Sequence, residues 1–295
     1  MSAAPLLSVL IATRNRAASL ERLLERLAAL SPGLHWEIVV VDNASSDGTS
    51  AVLRAAGRVR SVHEPRAGKG RALNRGLAVA RGELIVFTDD DVDPDRAWLD
   101  ELAAAARRHP GVDCFGGRIL VSAAEMPRWI ARSRNLQEIL TTEHDLGERE
   151  RAYPPNRFPS GPNMAIRRRA LQGIAEPWSP DLGPGCAVPV GDERCFFFRV
   201  GEGRGKPRIY VPSALVRHHP RADNVRLASA LRRCYWGGYS GGLVESLHRR
   251  ALETSEPGSV LGRLAGTRSL REAACVAVRA VGYWRGLRAG KQHDA

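Results

Sequence analysis

The first half of the chain alternates short apolar runs with segments in which apolar residues recur at helical spacing. Strands are predicted at 7–12, 37–42, 59–63 and 83–88, and the continuous apolar run at 7–12 is typical of a buried parallel strand. Between them, leucines on one helical face predict a helix over 20–30, and a second helix is predicted over 69–81, ended by Gly82. Short connections of this kind are typical of βαβ units. The predicted fold is therefore α/β, with a mostly parallel, doubly wound sheet.

The second half has a less regular pattern. A strand is predicted at 114–121, a helix at 194–200 and a last strand at 208–211, just before Pro212. The polar segment 122–159 predicts no element. From residue 226 onward, two helical stretches are predicted to flank a glycine-rich break at 237–242 and a linker at 254–259.

The composition is that of an ordinary soluble globular protein, with 295 residues of which 43% are hydrophobic and 26% charged. It excludes fibrous and disordered chains. The apolar run at 6–12 precedes the first basic residues, the reverse of a secretory signal, and no uncharged apolar run approaches the length of a membrane span. The five cysteines are scattered and show no CxxC spacing, which argues against a disulfide framework or a zinc site. The sequence predicts a cytoplasmic protein.

The net charge of +12 comes almost wholly from arginine, since the chain has only three lysines. Between residues 217 and 295, Lys and Arg outnumber Asp and Glu by 14 to 6. This concentration indicates an acidic partner for the tail, whether lipid, nucleotide or polyanion. A nucleic-acid- or polyanion-binding protein is therefore one hypothesis. The low aromatic content of 6% and the lack of a recognisable RNA or DNA module argue against nucleic acid.

Polar clusters follow three of the predicted strands, at the edge where an open parallel sheet binds its ligands. They are Thr13-Arg14-Asn15, Asp42-Asn43 and Asp89-Asp90-Asp91-Val92-Asp93. Adjacent carboxylates repel one another unless positive charge lies between them, and Mg²⁺ or Mn²⁺ held by one or two carboxylates and substrate phosphates is a common arrangement. The alternative is helix capping, which suits Asp93 because Pro94 favours the first helical position. The other three aspartates predict a metal–diphosphate site.

Four segments resemble, in order, the signatures of the family 2 glycosyltransferases: SVLIATRNR at 8–16, VVDNASSDGT at 40–49, GKGRALNRG at 68–76 and DDD at 89–91. The resemblance continues to about residue 220. It implies the GT-A fold, a Rossmann-like α/β architecture, in a catalytic domain over 1–220. That domain would comprise a nucleotide-binding half at 1–110 and an acceptor and catalytic half at 111–220. A basic helical extension would follow at 221–295.

The resemblance also implies which residues bind the donor. Those near the base, ribose or phosphates would be Thr13, Arg14, Asn15, Asp42 and Lys69. Asp89, Asp90 and Asp91 match the family's DxD segment, with Asp91 as a metal ligand and Asp89 as a ligand of the ribose or the metal. For Asp42 the alternative is a turn-forming role, and for Lys69 it is a solvated loop charge.

Two later segments match the catalytic half of the family. PSGPNMAIRR, which contains Gly161 and Asn163, resembles the segment that lines the sugar and acceptor pocket. GDERCF resembles an acidic pair before a helix, which would supply the general base that an acceptor hydroxyl needs. The family order is Glu-Asp, whereas here it is Asp192-Glu193. Either acid could be the base, with Glu193 at the matching position. The alternative is that both only favour a helix N-terminus.

The segment PSALVRHH resembles a strand end where some family members place a further metal ligand, here His218; the alternative is a solvated histidine. The activity implied is that of a metal-dependent inverting glycosyltransferase with Mn²⁺ or Mg²⁺ as cofactor. It would move a sugar from a nucleoside diphosphate, with a UDP-sugar favoured, to a glycan or lipid-linked acceptor in polysaccharide or lipid-linked glycan assembly. A non-catalytic member that only binds nucleotide sugar is the alternative, and the intact acidic sets argue against it.

In the tail, apolar residues share helical faces while arginines fill the other positions. The apolar residues are Leu227, Leu231, Tyr235, Leu261, Leu264, Val278, Val281 and Trp284. This pattern is compatible with a peripheral contact to the inner face of an anionic membrane that carries a lipid-linked acceptor. A second interpretation, which we favour at this point, is that the helices cover the catalytic domain or form a homodimer contact.

Overall fold

One mixed β-sheet runs through the described part of the protein, which in this computed structural model comprises residues 6–30, 33–122, 126–154, 157–201, 206–247, 267 and 269–293. Its strands are β1 (Leu7–Thr13), β2 (Trp36–Asp42), β3 (Val59–His63), β4 (Leu84–Thr88), β5 (Val92–Pro94), β6 (Cys114–Val121), β7 (Arg151–Ala152), β8 (Met164–Arg167) and β9 (Arg208–His218). Their order is β3-β2-β1-β4-β8-β6-β9-β5, with β7 paired to β9.

The first half of the sheet is parallel. β1 lies between β2 and β4 and is parallel to both, and β2 is parallel to β3. The register places Thr13 opposite Asp42 and Ile11 opposite Thr88. Because these three strands end at the same edge, the polar residues that follow them emerge together. The predicted α/β fold and the strands of the first half are confirmed.

Helices cover both faces of the sheet. They are α1 (Ala17–Ala28), α2 (Thr49–Ala55), α3 (Lys69–Leu77), α4 (Trp98–Arg108), α5 (Arg128–Ala131), α6 (Arg134–Thr141), α7 (Asp192–Arg199), α8 (Leu227–Leu247) and α9 (Leu270–His293). Val9 and Ile11 pack in one core with residues of α1, α2 and α4, whereas Leu10 packs in another with residues of α3 and α7. The continuous apolar run of β1 is therefore explained by burial on both sides.

The prediction that Asp93 caps the next helix is wrong. Asp93 lies in β5, opposite Arg217 of β9, and α4 begins only at Trp98. Its carboxylate lies 2.9 Å from the Nε2 of His219. Pairing between strands distant in sequence thus overrides a local capping signal.

The last strand does not end before Pro212 as predicted. β9 pairs with β6 up to Val211 and Gly117, and the pairing resumes with Leu215 and Arg118. Pro212 falls in the bulge between these pairs, where its missing N–H interrupts no ladder.

Helix α3 ends at Leu77, earlier than the predicted residue 81, and Gly82 does not terminate it. A Cβ at Gly82 would overlap the backbone nitrogen of Ser8. Glycine is needed here because the chain passes directly against β1.

The glycine-rich segment 237–242 does not break the C-terminal helix, contrary to the prediction. α8 continues through it and packs along α9. A Cβ at Gly238 would overlap the carbonyl oxygen of Arg279, and one at Gly286 would overlap that of Tyr239. The glycines therefore let the two helix backbones touch. A prediction that treats each glycine only as a local helix breaker cannot indicate this contact.

The two C-terminal helices pack against the rest of the protein. Ala230 and Cys234 of α8 and Cys275 of α9 share a buried apolar cluster with residues of α5 and α6. Val244 of α8 shares another with Phe198 of α7. None of the described helices is long and apolar enough to cross a membrane. The predicted linker at 254–259 and the tail residues Leu261 and Leu264 lie outside the described residues.

Replacing Gly286 by alanine is expected to destabilise the protein, although the same change at an open helix position stabilises by about 1 kcal/mol. The added Cβ would force α8 and α9 apart, and we expect the free energy of unfolding in urea to fall by roughly 1–3 kcal/mol. Ala277→Val, at an exposed position of α9, is the control and should change it by less than about 1 kcal/mol. A Gly286→Ala protein as stable as wild type would contradict the close contact.

Candidate active site

A cleft of about 420 Å³ opens at the edge of the sheet where β1, β2 and β4 end. Its lining combines acidic and basic side chains from both halves of the chain. The lining residues are Ala12, Thr13, Arg14, Arg16, Asn43, Lys69, Asp89, Asp90, Asp91, Pro184, Gly185, Arg221, Asn224 and Arg233. The structure thus brings together most of the residues that the sequence predicted for donor binding.

Asp90 is held by protein groups at the base of this cleft. Its side chain accepts a hydrogen bond from Thr13 Oγ1 at 2.6 Å and another from Arg16 Nε at 3.0 Å. Burial, together with the charges of Asp91 and Asp89, raises the pKa of Asp90 to about 6 although Arg16 opposes the shift. Because both hydrogen bonds hold its carboxylate to the protein, Asp90 serves more to position the site than to bind a metal or a substrate. Arg16, which also pairs with Asp91, had no role in the sequence prediction.

Asp91, which lines the cleft, lies close to His218 at the end of β9. His218 Nδ1 lies 2.7 Å from the carbonyl oxygen of Thr141, and because a carbonyl can only accept, Nδ1 carries the proton. In the neutral ring, Nε2 then carries a lone pair. This nitrogen lies 3.3 Å from Asp91 Oδ1. A pair this close can share either a proton, as an ion pair with a protonated ring, or a divalent cation, and a carbonyl bond to the far nitrogen is the usual support of a metal-binding histidine.

The Asp91–His218 pair therefore fits a divalent ion, Mn²⁺ better than Mg²⁺ because of the imidazole. Among the described residues there is no group of three or more His, Cys, Asp or Glu side chains that could hold a metal. Asp91 and His218 would then be the protein's ligands, and phosphate oxygens and water would take the other positions. Burial raises the pKa of Asp91, but the hydrogen bond and charge of a protonated His218, together with the charges of Arg16 and Lys69, outweigh it and lower that pKa.

Lys69 is not a solvated loop charge. It starts α3 and pairs with Asp89 across the cleft. Burial opposes its charged form, but the carboxylates of Asp89, Asp192 and Glu193 outweigh that effect and raise the pKa of Lys69. Lys69 thus stays protonated between the two acidic sets.

The polar residues after β1 and β2 join their two loops. Asn15, which has a positive φ of 52°, accepts a hydrogen bond from the backbone nitrogen of Ser46 at 2.7 Å. The Asp42 side chain accepts one from Ser45 N at 3.0 Å, the turn-forming contact named as its alternative. Arg14 lines the cleft beside Gly185.

The acidic pair begins α7, directly after Gly191, which has a positive φ of 96°. Glu193 Oε1 accepts a hydrogen bond from the backbone nitrogen of Gly161 at 2.8 Å. Burial and the charge of Asp192 raise the pKa of Glu193 to about 7, although Lys69 opposes the shift. Burial likewise raises the pKa of Asp192. A carboxylate whose pKa lies near neutrality suits general base catalysis.

Gly161 and Asn163 have different places. A Cβ at Gly161 would overlap Glu193 Oε1, so a side chain here would displace that carboxylate oxygen. Asn163 is fully buried and does not line the cleft. Its amide nitrogen donates to the carbonyl oxygens of Arg118 and Ala214 at 2.9 and 2.7 Å, and its oxygen accepts from Trp98 Nε1 at 2.8 Å. Asn163 therefore ties β6, β9 and α4 together, which differs from the pocket-lining role that was expected.

The segment after β9 contributes cleft residues that sequence reasoning missed. Arg221, Asn224 and Arg233 line the cleft, and Arg233 projects from α8. Its Nη2 donates to Thr142 Oγ1 at 3.3 Å, and no described carboxylate lies within ion-pair distance of it. Burial lowers the pKa of Arg233, although the charges of Glu193, Asp192 and Asp89 oppose the shift. The excess of basic residues in the tail was the sequence signal for these cleft residues, but it did not show which arginine faces the cleft.

Comparison with known proteins places the chain in a family. Residues 8–174 match the family model described as Glycosyl transferase family 2, so the chain belongs to that family and is a glycosyltransferase. Its fold is the expected GT-A architecture. A mannosyltransferase from Pyrobaculum calidifontis, solved in complex with GDP-Man and Mn²⁺, superposes with a TM-score of 0.57 at 22% identity, covering 98% of this chain and 85% of that one.

Two curated relatives share part of the sequence. Glycosyltransferase AglE of Haloferax volcanii is 27% identical over 232 residues, which cover 69% of this chain and 74% of the relative. A pre-mycofactocin glycosyltransferase of Mycobacterium tuberculosis is 30% identical over 243 residues, which cover 80% of this chain. The chain spans only 47% of that relative's length.

Glu193→Gln is expected to make the protein more stable at pH 8. The pKa of Glu193 is raised to about 7 in the folded state, whereas an unfolded glutamate ionises near pH ~4.3. Ionisation therefore costs stability that grows between these two pH values and levels off above the folded pKa. The amide avoids this cost and still accepts from Gly161. Melting temperatures across this range should diverge with rising pH.

The control is Glu21→Gln, at an exposed position of α1, which should leave the melting temperature unchanged at every pH. A Glu193→Gln protein that melts lower than wild type at pH 8 would show that the ionised carboxylate stabilises the fold, contrary to the raised pKa.

Proposed function

We propose that the protein transfers a sugar from a nucleoside diphosphate sugar to an acceptor hydroxyl with inversion at the anomeric carbon, using Mn²⁺ or Mg²⁺. The observation that carries this proposal is the approach of His218 Nε2 to Asp91 Oδ1 at 3.3 Å, with His218 Nδ1 held 2.7 Å from the carbonyl oxygen of Thr141. Asp91 lines a cleft whose walls also carry Lys69 and several arginines. A divalent ion and a diphosphate together satisfy both features.

The donor diphosphate would lie among the basic residues of the cleft. When bound at Asp91 and His218, the divalent ion supplies positive charge to the diphosphate leaving group. Lys69 and Arg233, which both line the cleft, offer further positive charge. Because these groups are fixed before the reaction, they can stabilise the negative charge that develops as the glycosidic bond breaks.

Glu193 is the residue we assign as general base. It would take the proton from the acceptor hydroxyl while that oxygen bonds to the anomeric carbon and the bond to the diphosphate oxygen breaks. The backbone N–H of Gly161 holds one oxygen of Glu193 at 2.8 Å and fixes its orientation. Asp192 is more deeply buried, behind Gly183, and we assign it a positioning role that keeps the pKa of Glu193 high.

Relatives support the donor class without fixing its identity. The mannosyltransferase from P. calidifontis was solved with GDP-Man and Mn²⁺, while the resemblance noted in the sequence favours a UDP-sugar. The acceptor we propose is a glycan or a lipid-linked saccharide, in polysaccharide or lipid-linked glycan assembly.

Asp91→Asn is expected to abolish metal-dependent nucleotide binding. For the wild type, UDP or GDP at about one hundred times Kd should raise the melting temperature by roughly 5–10 °C with Mn²⁺, and much less without it. Asp91→Asn should lose this shift because the neutral amide is a poorer ligand for a hard cation. Glu25→Gln removes an exposed carboxylate of α1 and should keep the full shift.

Two results would count against the proposal. A shift that Asp91→Asn retains would remove Asp91 from the metal site. No shift with UDP, GDP, dTDP or ADP, with or without Mn²⁺, would leave the cleft without a donor.

Glu193→Gln is expected to lower kcat by roughly 10²–10⁴-fold while the nucleotide-induced thermal shift stays intact. Asp192→Asn should lower kcat less, because Asp192 acts through Glu193. Both are measured as sugar transfer with the donor that gives the largest thermal shift. If Asp192→Asn causes the larger loss, the base is Asp192 and the assignment is reversed.

A further inference from the structure

The exposed large apolar side chains of the described residues all lie on the two C-terminal helices. They are Leu227, Leu247, Leu270, Val281 and Trp284. Val281 and Trp284 are each about half exposed, at 53% and 49%. Elsewhere in the described structure, side chains of this kind are covered, so the exposure here marks an interaction surface.

Most of the exposed residues of α9 form one continuous face, and Arg271 lies apart from it. At 100° per residue, Leu270, Ala277, Val281, Trp284 and Arg288 lie along a single stripe, with Arg285 and Lys291 beside it. The opposite side of the helix carries Gly282, Gly286 and Gly290, which touch α8. The stripe is therefore turned away from the body of the protein.

Among the described side chains of α8 and α9, every exposed charge is basic. These charges belong to Arg232, Arg271, Arg285, Arg288 and Lys291. The acidic residues of α8 and α9 are buried: Glu245 accepts a hydrogen bond from Tyr283 and Glu272 one from Ser133. No carboxylate of these two helices therefore offsets the positive charge of the stripe.

We propose that the face formed by Val281, Trp284, Arg285, Arg288 and Lys291 docks on the surface of an anionic phospholipid bilayer. Apolar side chains entering the headgroup region and flanking arginines or lysines facing lipid phosphates are how amphipathic helices bind there. Tryptophan suits this depth because its ring is apolar and its N–H is polar. Since no described helix can span a bilayer, the contact is peripheral.

Charge and polarity favour a lipid surface over the other occupants. A twofold dimer through this face would place the same patch on both sides of the interface, and arginines would oppose arginines. A nucleic acid would satisfy the basic residues through its phosphates, but it would offer no apolar partner to Val281 or Leu270. A bilayer satisfies both parts of the face.

The test is co-sedimentation of the full chain with vesicles of phosphatidylcholine alone or with one third phosphatidylglycerol, at low and high salt. Wild type should bind the anionic vesicles, and high salt should weaken the binding. Arg288→Glu with Lys291→Glu should weaken it by roughly tenfold or more, and Trp284→Ala should weaken it severalfold. Arg54→Glu with Arg58→Glu makes the same change in net charge at exposed positions far from α9 in sequence and should bind like wild type.

Four results would overturn the proposal. Absence of binding to anionic vesicles at low salt is the first, and an equal loss in the Arg54/Arg58 control, which would indicate unspecific attraction, is the second. Tighter binding to arbitrary RNA than to vesicles is the third. The fourth is a wild-type dimer in sedimentation equilibrium that Val281→Asp dissociates. Because vesicle binding is measured without donor or acceptor, its outcome is independent of the proposed transfer reaction.

Discussion

Three consecutive carboxylates at the end of β4 set the constraint on which the site depends. Like charges this close and this buried cannot all be ionised without positive charge or hydrogen bonds at each one. Arg16, in the loop after β1, pairs with Asp90 and Asp91, and Lys69, at the start of α3, pairs with Asp89. His218, at the end of β9, lies 3.3 Å from Asp91. The acidic row thus holds together segments that are far apart in the chain. Such a row would favour a cation bound together with an anion, because the protein's own cations already balance much of its charge and its two candidate metal ligands would leave an ion incompletely coordinated.

The sequence predicted the elements whose signal is local. β1, β2 and β4 are visible as apolar runs because parallel strands inside a sheet are buried on both faces, whereas β3, at the edge of the sheet, is only partly buried. Three errors fall where a distant segment decides the outcome: Asp93 pairs with β9 instead of capping a helix, Pro212 sits in a bulge of β9, and 237–242 stays helical because α9 packs on it. Local propensity could not indicate any of these, since each depends on a partner that pairs only after the chain has folded.

The candidate site divides in the same way. Asp89–Asp91 and the Asp192–Glu193 pair are short, dense motifs and could be read directly. The roles of Arg16 and Arg233 could not be read in this way. In an arginine-rich chain, the role of one arginine depends on the groups that it faces in the folded structure. For Asn163 the sequence predicted a role that the structure does not support. Asn163 lies inside a motif associated with the pocket, yet its amide forms its hydrogen bonds with protein groups. Residue roles carried over by resemblance therefore need the burial and the hydrogen bonds of each side chain before they are assigned.

The C-terminal helices bear on whether 1–220 is a complete catalytic unit, which stays a prediction. A Cβ at Gly191, just before the acidic pair, would overlap Ser240 of α8. Burial lowers the pKa of Arg194 in α7 to about 10, and the charge of Glu245 in α8 opposes that shift, which places a charge of the catalytic helix against the extension. With Arg233 in the cleft, α8 forms part of the wall of the site. The side of α8 and α9 that packs on the rest of the protein thus supports the residues proposed for catalysis, while the opposite side carries the exposed basic face. A surface that binds this exposed face would therefore be connected to the cleft through the rigid, glycine-packed pair α8 and α9 rather than through a flexible tether.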